Sequence, residues 1–327
     1  ALLSGAGPTL ATAGNYNNLL GVPLTLLALR LDHAFAVIEM GASAVGDIDR
    51  LAALVKPRIG VITNASPAHL AEFGSLEGII RGKGELLDHL PADGTAILNS
   101  DSPGFGDWCC RARCPVVTFG QKGADLVWAF EHDRQEALLA GASWPSPLPG
   151  AHNGANLAAA VLAGRALGVA DTDLRKGLGD FAGSAHRGVL LELEGRTILD
   201  DAYNANPVSM KAAVKALVEL GGEGRAVAVL GHMAEMGPDA EDIHREVGAS
   251  LAASGIATLV AVGVAAEPLR TGFDAAGGSG HYCATREEAA TLLARISAPG
   301  DRLLIKGSRS AAMEELLPLL EDSFQSP

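Results

Sequence analysis

Residues 196–213 read RTILDDAYNANPVSMKAA. A short apolar run, Thr197 to Leu199, ends in two adjacent carboxylates, Asp200 and Asp201. Tyr203, Asn204 and Asn206 follow, and only then does Pro207 open a helix-like segment. This is the pattern of a buried strand, a polar turn at its carboxyl end, and a helix returning over the sheet. Asn206 lies before a proline, which favours extended backbone there and suits the first turn of the helix that follows.

Working outward, the same unit recurs. Downstream, AVAVL (226–230), TLVAV (258–262) and RLLI (302–305) are apolar runs, each separated from the next by one helix-like segment, and VLLELEGRTILD (189–200) has the form of a hairpin. Upstream, AFAVIEM (34–40), RIGVITN (58–64), TAILN (95–99) and PVVTF (115–119) alternate with helical patterns as buried strands. Between 124 and 149 a hairpin and the turn-rich SWPSPLPG break the rhythm, and an Ala-rich helix at 153–168 and a second helix to about 181 close this half. Such alternation predicts an α/β fold: a central, mostly parallel sheet domain over 1–185, then a smaller Rossmann-like domain over 186–327. The Gly-rich, polar GSAHRG at 183–188 reads as the hinge.

With 48% hydrophobic and 19% charged residues, 327 residues suffice for two buried cores. The longest apolar run, IATLVAVGVAA at 256–266, is about half a bilayer span. The start, ALLSGAGPTLA, lacks the basic flank of a signal peptide. These features predict a cytoplasmic protein with no membrane partner. A net charge of −13 without a basic stripe argues against nucleic acid. Cys109, Cys110, Cys114 and Cys283 lack paired C-x-x-C spacing, so they read as incidental thiols.

Ligands of open α/β sheets bind beyond the carboxyl ends of the strands, so the polar residues directly after each apolar run are the candidates. These are Glu39 after the first run, Thr63, Asn64 and His69 after the second, Asp200 and Asp201 after RTIL, and Lys306 after RLLI. Taken together they favour a cleft between two sheets, although each alone is an ordinary strand-end polar residue. Glu39 and His69 supply an oxygen and a nitrogen that could hold a hard divalent cation such as magnesium. Lys83, in RGKGELL, has the pattern of a solvated helix face. His152, Asn153 and Asn156 fall around the first turn of a helix, as caps or as ligand-bonding amides. KGSRS (306–310) puts Ser308 and two cations, Lys306 and Arg309, at a strand-to-helix turn suited to a carboxylate or phosphate.

The motifs GNYNNLLGVPLTLL (14–27), EMGAS (39–43), TNASPAHLAEFGSLEGI (63–79), KGELL (83–87), GAHNGANLAAA (150–160), DDAYNANPVSMKAA (200–213), GHMAEMG (231–237) and KGSRSAAME (306–314) together resemble the Mur ligases of peptidoglycan synthesis over nearly the whole chain. The resemblance implies an ATPase-type central domain and ATP-dependent amide formation through an acyl phosphate. The partners it implies are UDP-N-acetylmuramoyl-tripeptide and D-alanyl-D-alanine, the cofactors ATP and Mg2+, and the protein a monomer.

On that resemblance Glu39 and His69 bind magnesium, and a carbamylated Lys83 helps place a second ion. Asn153 and Asn156 approach the adenine, Arg187 the phosphates, Asp201 the ribose, and Tyr203 lines the same site. Asn64, Lys306, Ser308 and Arg309 face the substrate, while Asp200 is a structural partner of its turn. The sequence departs from the family pattern in two places. No G-x-x-x-x-G-K-[ST] phosphate loop occurs in the 327 residues. That suggests a fragment of a longer protein, inactive by itself. His232 stands where the family usually has aspartate. A nicotinamide oxidoreductase is disfavoured because no G-x-G-x-x-G follows a strand. A related Mur-type amino-acid ligase and a non-catalytic binding module on the same scaffold are the alternatives.

Overall fold

The structure, a computed structural model, describes residues 1–66 and 73–325. The chain divides into two compact units, one of residues 1–131, 136–147 and 152–182, the other of residues 132–135, 148–151 and 183–327.

In the first unit β1 (Thr9–Ala11) and β2 (Phe35–Val37) form a parallel two-stranded sheet. A separate sheet has β3 (Ile59–Ile62), β4 (Thr95–Asn99), β5 (Val116–Gly120) and β6 (Leu126–Glu131) in parallel, and β7 (Glu136–Leu139) and β8 (Ala142–Pro145) extend it antiparallel. The alternation therefore predicts the fold class correctly and misplaces some strands. AFAVIEM is not a buried strand of the main sheet: it pairs only with β1, and Val37 is half exposed. Where one hairpin is expected after Ala124, a three-stranded meander forms, because Gly141 at φ +83° makes a second tight reversal.

In the second unit β9 (Val189–Leu193) and β10 (Arg196–Asp201) form the expected hairpin. They join β11 (Ala226–Leu230), β12 (Thr258–Val262), β13 (Gly280–Cys283) and β14 (Arg302–Lys306) in the order β13-β12-β11-β14-β10-β9, with only β9 antiparallel. Both faces of this sheet are buried. Leu199, Ala228, Leu230, Leu259 and Leu304 enter one core, and Ile198, Val227, Val229, Val260, Leu303 and Ile305 enter the other. Double burial is why these strands read as unbroken apolar runs rather than alternating ones. Each fully buried leucine contributes about 2 kcal/mol of apolar transfer energy. The segment between TLVAV and RLLI holds two helices, Glu267–Ala275 and Arg286–Ile296, and β13, rather than one helix. GHYC is an edge strand with only Cys283 buried, so it carries no apolar signature.

Candidate functional site

Parallel register brings the sequence candidates of the second unit to one end of its sheet. Asp201, last in β10, lies opposite Lys306, last in β14, and Leu230, last in β11, lies opposite Lys306 on its other side. Lys306 is buried, with 2% of its surface exposed. Its ammonium donates to Asp201 Oδ2 (2.6 Å), Asn204 O (2.7 Å) and Asp201 O (3.3 Å), which accounts for all three hydrogens. Lys306 thus braces the turn after β10, and the pair from DDAY and KGS forms one ionic cluster.

Arg187 stacks over the Tyr203 ring, its guanidinium carbon 3.9 Å from the centroid. Asp200 is buried and accepts from His186 Nδ1 (2.8 Å) and Ala202 N (3.3 Å), the structural role in the turn expected from the sequence. Asn206 is extended at φ −143° and caps the helix Pro207–Glu219. Its side chain accepts from Ser209 N (2.8 Å), and Ser209 Oγ accepts from Asn206 N (3.0 Å), a reciprocal capping box.

The adjoining ends of β11 and β14 are closely apposed. Gly231 N donates to Lys306 O (2.8 Å) and Ser308 N to His232 O (2.9 Å). A Cβ on Gly307 would meet Met313 at 2.6 Å, and one on Gly231 would meet Ala311 and Met313 at 2.8 Å, so both positions need glycine. Ser308 is fully buried in this turn, while Arg309 is exposed and paired with Glu314. A cavity of about 450 Å³ opens beside it, lined among others by His232, Gly263, Ala284, Arg286, Ser310 and Ala311. His232 Nε2 lies 2.9 Å from Ser310 Oγ, and burial lowers the His232 pKa. Arg286, first residue of its helix, donates to Ala311 O (3.1 Å) and Glu315 Oε2 (2.5 Å).

In the first unit Glu39 is exposed after β2. Its Oε1 accepts from Asn17 Nδ2 (2.8 Å) and its backbone N–H donates to Thr12 Oγ1 (2.8 Å), tying GNYNN to EMG. Asn64 is exposed after β3, where Asn99 Nδ2 donates to Thr63 O (2.8 Å). His69 lies outside the described residues. Lys83 is half-buried in the helix Leu76–Gly84, and burial alone pulls its ammonium below the ordinary lysine range. It is not the solvated residue its helix pattern suggests. Asn153 and Asn156 are not caps: they lie inside the helix Ala151–Ala166, Asn156 Nδ2 donating to Asn153 Oδ1 (3.2 Å) and Asn153 Nδ2 contacting His152 Nε2 (3.2 Å).

Glu85 was missed by the sequence reading. Buried at 6% exposure, it accepts from Gly46 N (2.7 Å) and Asp49 N (3.1 Å) at the start of the helix Asp47–Val55. A carboxylate two residues after Lys83 in KGE was the available signal, but nothing in the spacing indicated a partner 36 to 39 residues earlier. No group of three or more His, Cys, Asp or Glu side chains among the described residues is arranged to hold a metal. Glu39 offers a single exposed carboxylate, which fits an ion coordinated mainly by water and phosphate oxygens rather than an all-protein cage. Among the described residues no helix is long and apolar enough to cross a membrane.

Two family models cover most of the chain: the Mur ligase middle domain over residues 1–164 and the Mur ligase glutamate ligase domain over residues 186–309. The chain belongs to the Mur ligase family. Among Mur ligases it is 36% identical to the UDP-N-acetylmuramoyl-tripeptide–D-alanyl-D-alanine ligase of Escherichia coli, over 99% of this chain and 73% of that protein. It is 34% identical to the ligase of the same name from Bacillus subtilis, over 97% and 70%. Among solved structures it superposes on MurF from Acinetobacter baumannii with a TM-score of 0.89 at 34% identity, covering 98% of this chain and 72% of that one. MurF from Thermotoga maritima in complex with ADP gives a TM-score of 0.85 at 26% identity, over 99% and 75%.

Proposed function

We propose that this Mur ligase joins D-alanyl-D-alanine to UDP-N-acetylmuramoyl-tripeptide with ATP, in peptidoglycan precursor synthesis. The tripeptide carboxylate takes the γ-phosphoryl group, releasing ADP. The dipeptide amine then attacks the acyl phosphate, and phosphate and a proton leave. The observation that carries this reading is the 36% identity spanning 99% of the chain with a ligase of that name.

The residues suit these steps. Arg187 and Tyr203 offer a cation and an aromatic face to a nucleotide, and Asp201, held by Lys306, an acceptor for ribose hydroxyls. Asn153 and Asn156 bring exposed or half-buried amides suited to an adenine edge. Glu39 would hold magnesium, which when bound neutralises phosphate charge; His69 and Asn64 are assigned with it by family resemblance. Burial of Lys83 favours its neutral amine, the form that adds CO2 to give a carbamate.

The cavity beside His232 suits a small zwitterionic dipeptide. Gly263, Ala284 and Ala311 leave space for two methyl groups, and Arg286 and Ser310 offer donors to a terminal carboxylate. Lys306 and Ser308 support this turn from within, and Arg309 is its exposed cation.

A coupled phosphate-release assay on the complete gene product tests the proposal. Release is expected only when the UDP-tripeptide and D-alanyl-D-alanine are both present. Turnover with a single amino acid and not the dipeptide would reassign the chain to another Mur ligase. Lys83→Ala should lose most activity and regain part of it with added short carboxylates; full activity in Lys83→Ala would remove that lysine from the mechanism.

A further inference from the structure

Two hydrogen bonds hold His186, one at its side chain and one at its backbone, within a turn closed by its neighbours. Arg187 N donates to Ser184 O (3.2 Å), closing a turn over Ser184–Arg187. His186 is its third residue at φ +60°, while Ala185 stays out of the left-handed region, which makes the turn type II. That third position normally takes glycine or asparagine. A histidine there is strained by about 1 kcal/mol, so something must hold it.

Its side chain is held from below. Asp200 Oδ2, on a carboxylate with 4% of its side chain exposed, lies 2.8 Å from His186 Nδ1, which places the imidazole hydrogen on Nδ1. Its backbone is held as well: Tyr203 N donates to His186 O at 2.9 Å. The next residue, Arg187, reaches back over the Tyr203 ring. Asp200, His186, Arg187 and Tyr203 therefore form a closed circuit at the end of β10, in which a buried carboxylate fixes the turn that aims the guanidinium.

We infer that Asp200 and His186 are positioning residues for nucleotide binding: their hydrogen bond holds the strained turn so that Arg187 and Tyr203 present one preformed cation–aromatic face. This rests on the proposed assignment of Arg187 and Tyr203 to the nucleotide. Neither Asp200 nor His186 needs to touch the ligand. Without the bond the turn relaxes to less strained conformers, and part of the binding energy is spent in reordering it.

Variants at His186 separate this from a packing role, since its side chain is about one-third exposed and nothing is cored out by replacing it. His186→Asn puts an amide nitrogen near the place of Nδ1 and tolerates φ > 0. His186→Gly relieves the backbone strain but has no donor for Asp200.

The measurement is the ADP dissociation constant by calorimetry on the complete protein, with KM for the UDP-tripeptide and for D-alanyl-D-alanine, and the melting temperature. His186→Gly should weaken ADP about tenfold, the size of one lost hydrogen bond to a charged group. His186→Asn should stay within about twofold of wild type, because it keeps that bond. Both KM values for the other substrates should change little, while the melting temperature reports the separate cost of leaving the buried Asp200 carboxylate without its donor. Equal ADP binding in His186→Gly and wild type overturns the inference, as does equal loss in the Gly and Asn variants. Tyr203→Ala is the control: if it leaves ADP binding unchanged, the nucleotide assignment itself fails. A loss in Tyr203→Ala with none in His186→Gly rejects the positioning role alone.

Discussion

Lys306 carries one positive charge into an almost fully buried position, and the structure shows what compensates it. Asp201 supplies the opposite charge at 2.6 Å, and two backbone carbonyls take the remaining hydrogens. Breaking such a pair from one side is costly because the other charge stays behind, by about 3 kcal/mol or more. Lys306→Met is therefore expected to lower stability by about 3 kcal/mol in urea denaturation and to weaken ADP binding, since Asp201 loses its brace. Unchanged stability with a raised KM for the dipeptide would return Lys306 to the direct peptide contact suggested by its place after RLLI. The identity of both residues as strand-end polar groups was legible in the sequence. Their pairing was not, because it depends on the β10–β14 register, which joins positions 105 residues apart.

At the scale of elements, legibility follows burial. Strands covered on both faces, such as AVAVL, stand out as apolar runs, whereas β1 and β13 are three and four residues long and mostly not buried, so tertiary pairing alone makes them strands. The helix Pro207–Glu219 was legible at its start because a capping asparagine and a proline act locally.

The helix Ala240–Leu251 is fastened by a longer-range device. His244 is buried, its Nε2 accepts from Met233 N (2.7 Å), and its Nδ1 donates to Ala240 O (2.6 Å), so only the neutral ring fits. Burial lowers its pKa, opposed by the Ala240 carbonyl and helped by charge on nearby His232. A depressed folded-state pKa means the unfolded chain takes up the proton first. The contribution of His244 is thus complete above the ordinary histidine value of about 6.5 and is lost as pH falls from there through the folded value. His244→Gln can keep an acceptor for Met233 without titrating. Its urea midpoint should fall less than wild type between pH 7 and pH 5, and parallel curves would show that another group sets the acid limit.

At the scale of the whole molecule, each compact unit has hydrophobic burial of its own. Leu98 is buried with Ile62, Ile79, Leu87 and Trp108 in the first unit, and Leu304 with Leu199, Met210, Leu230 and Leu259 in the second. Two compact units, each with buried clusters of its own, predict two calorimetric transitions rather than one two-state melt. Replacing either leucine by alanine leaves a cavity and costs about 2–5 kcal/mol. Leu304→Ala is expected to lower one transition and Leu98→Ala the other, each leaving its companion nearly in place. One shared transition, displaced equally by both substitutions in scanning calorimetry, would mean instead that the units fold as a single cooperative body. The strain at His186 would then have to be understood as part of that body rather than as a property of the second unit.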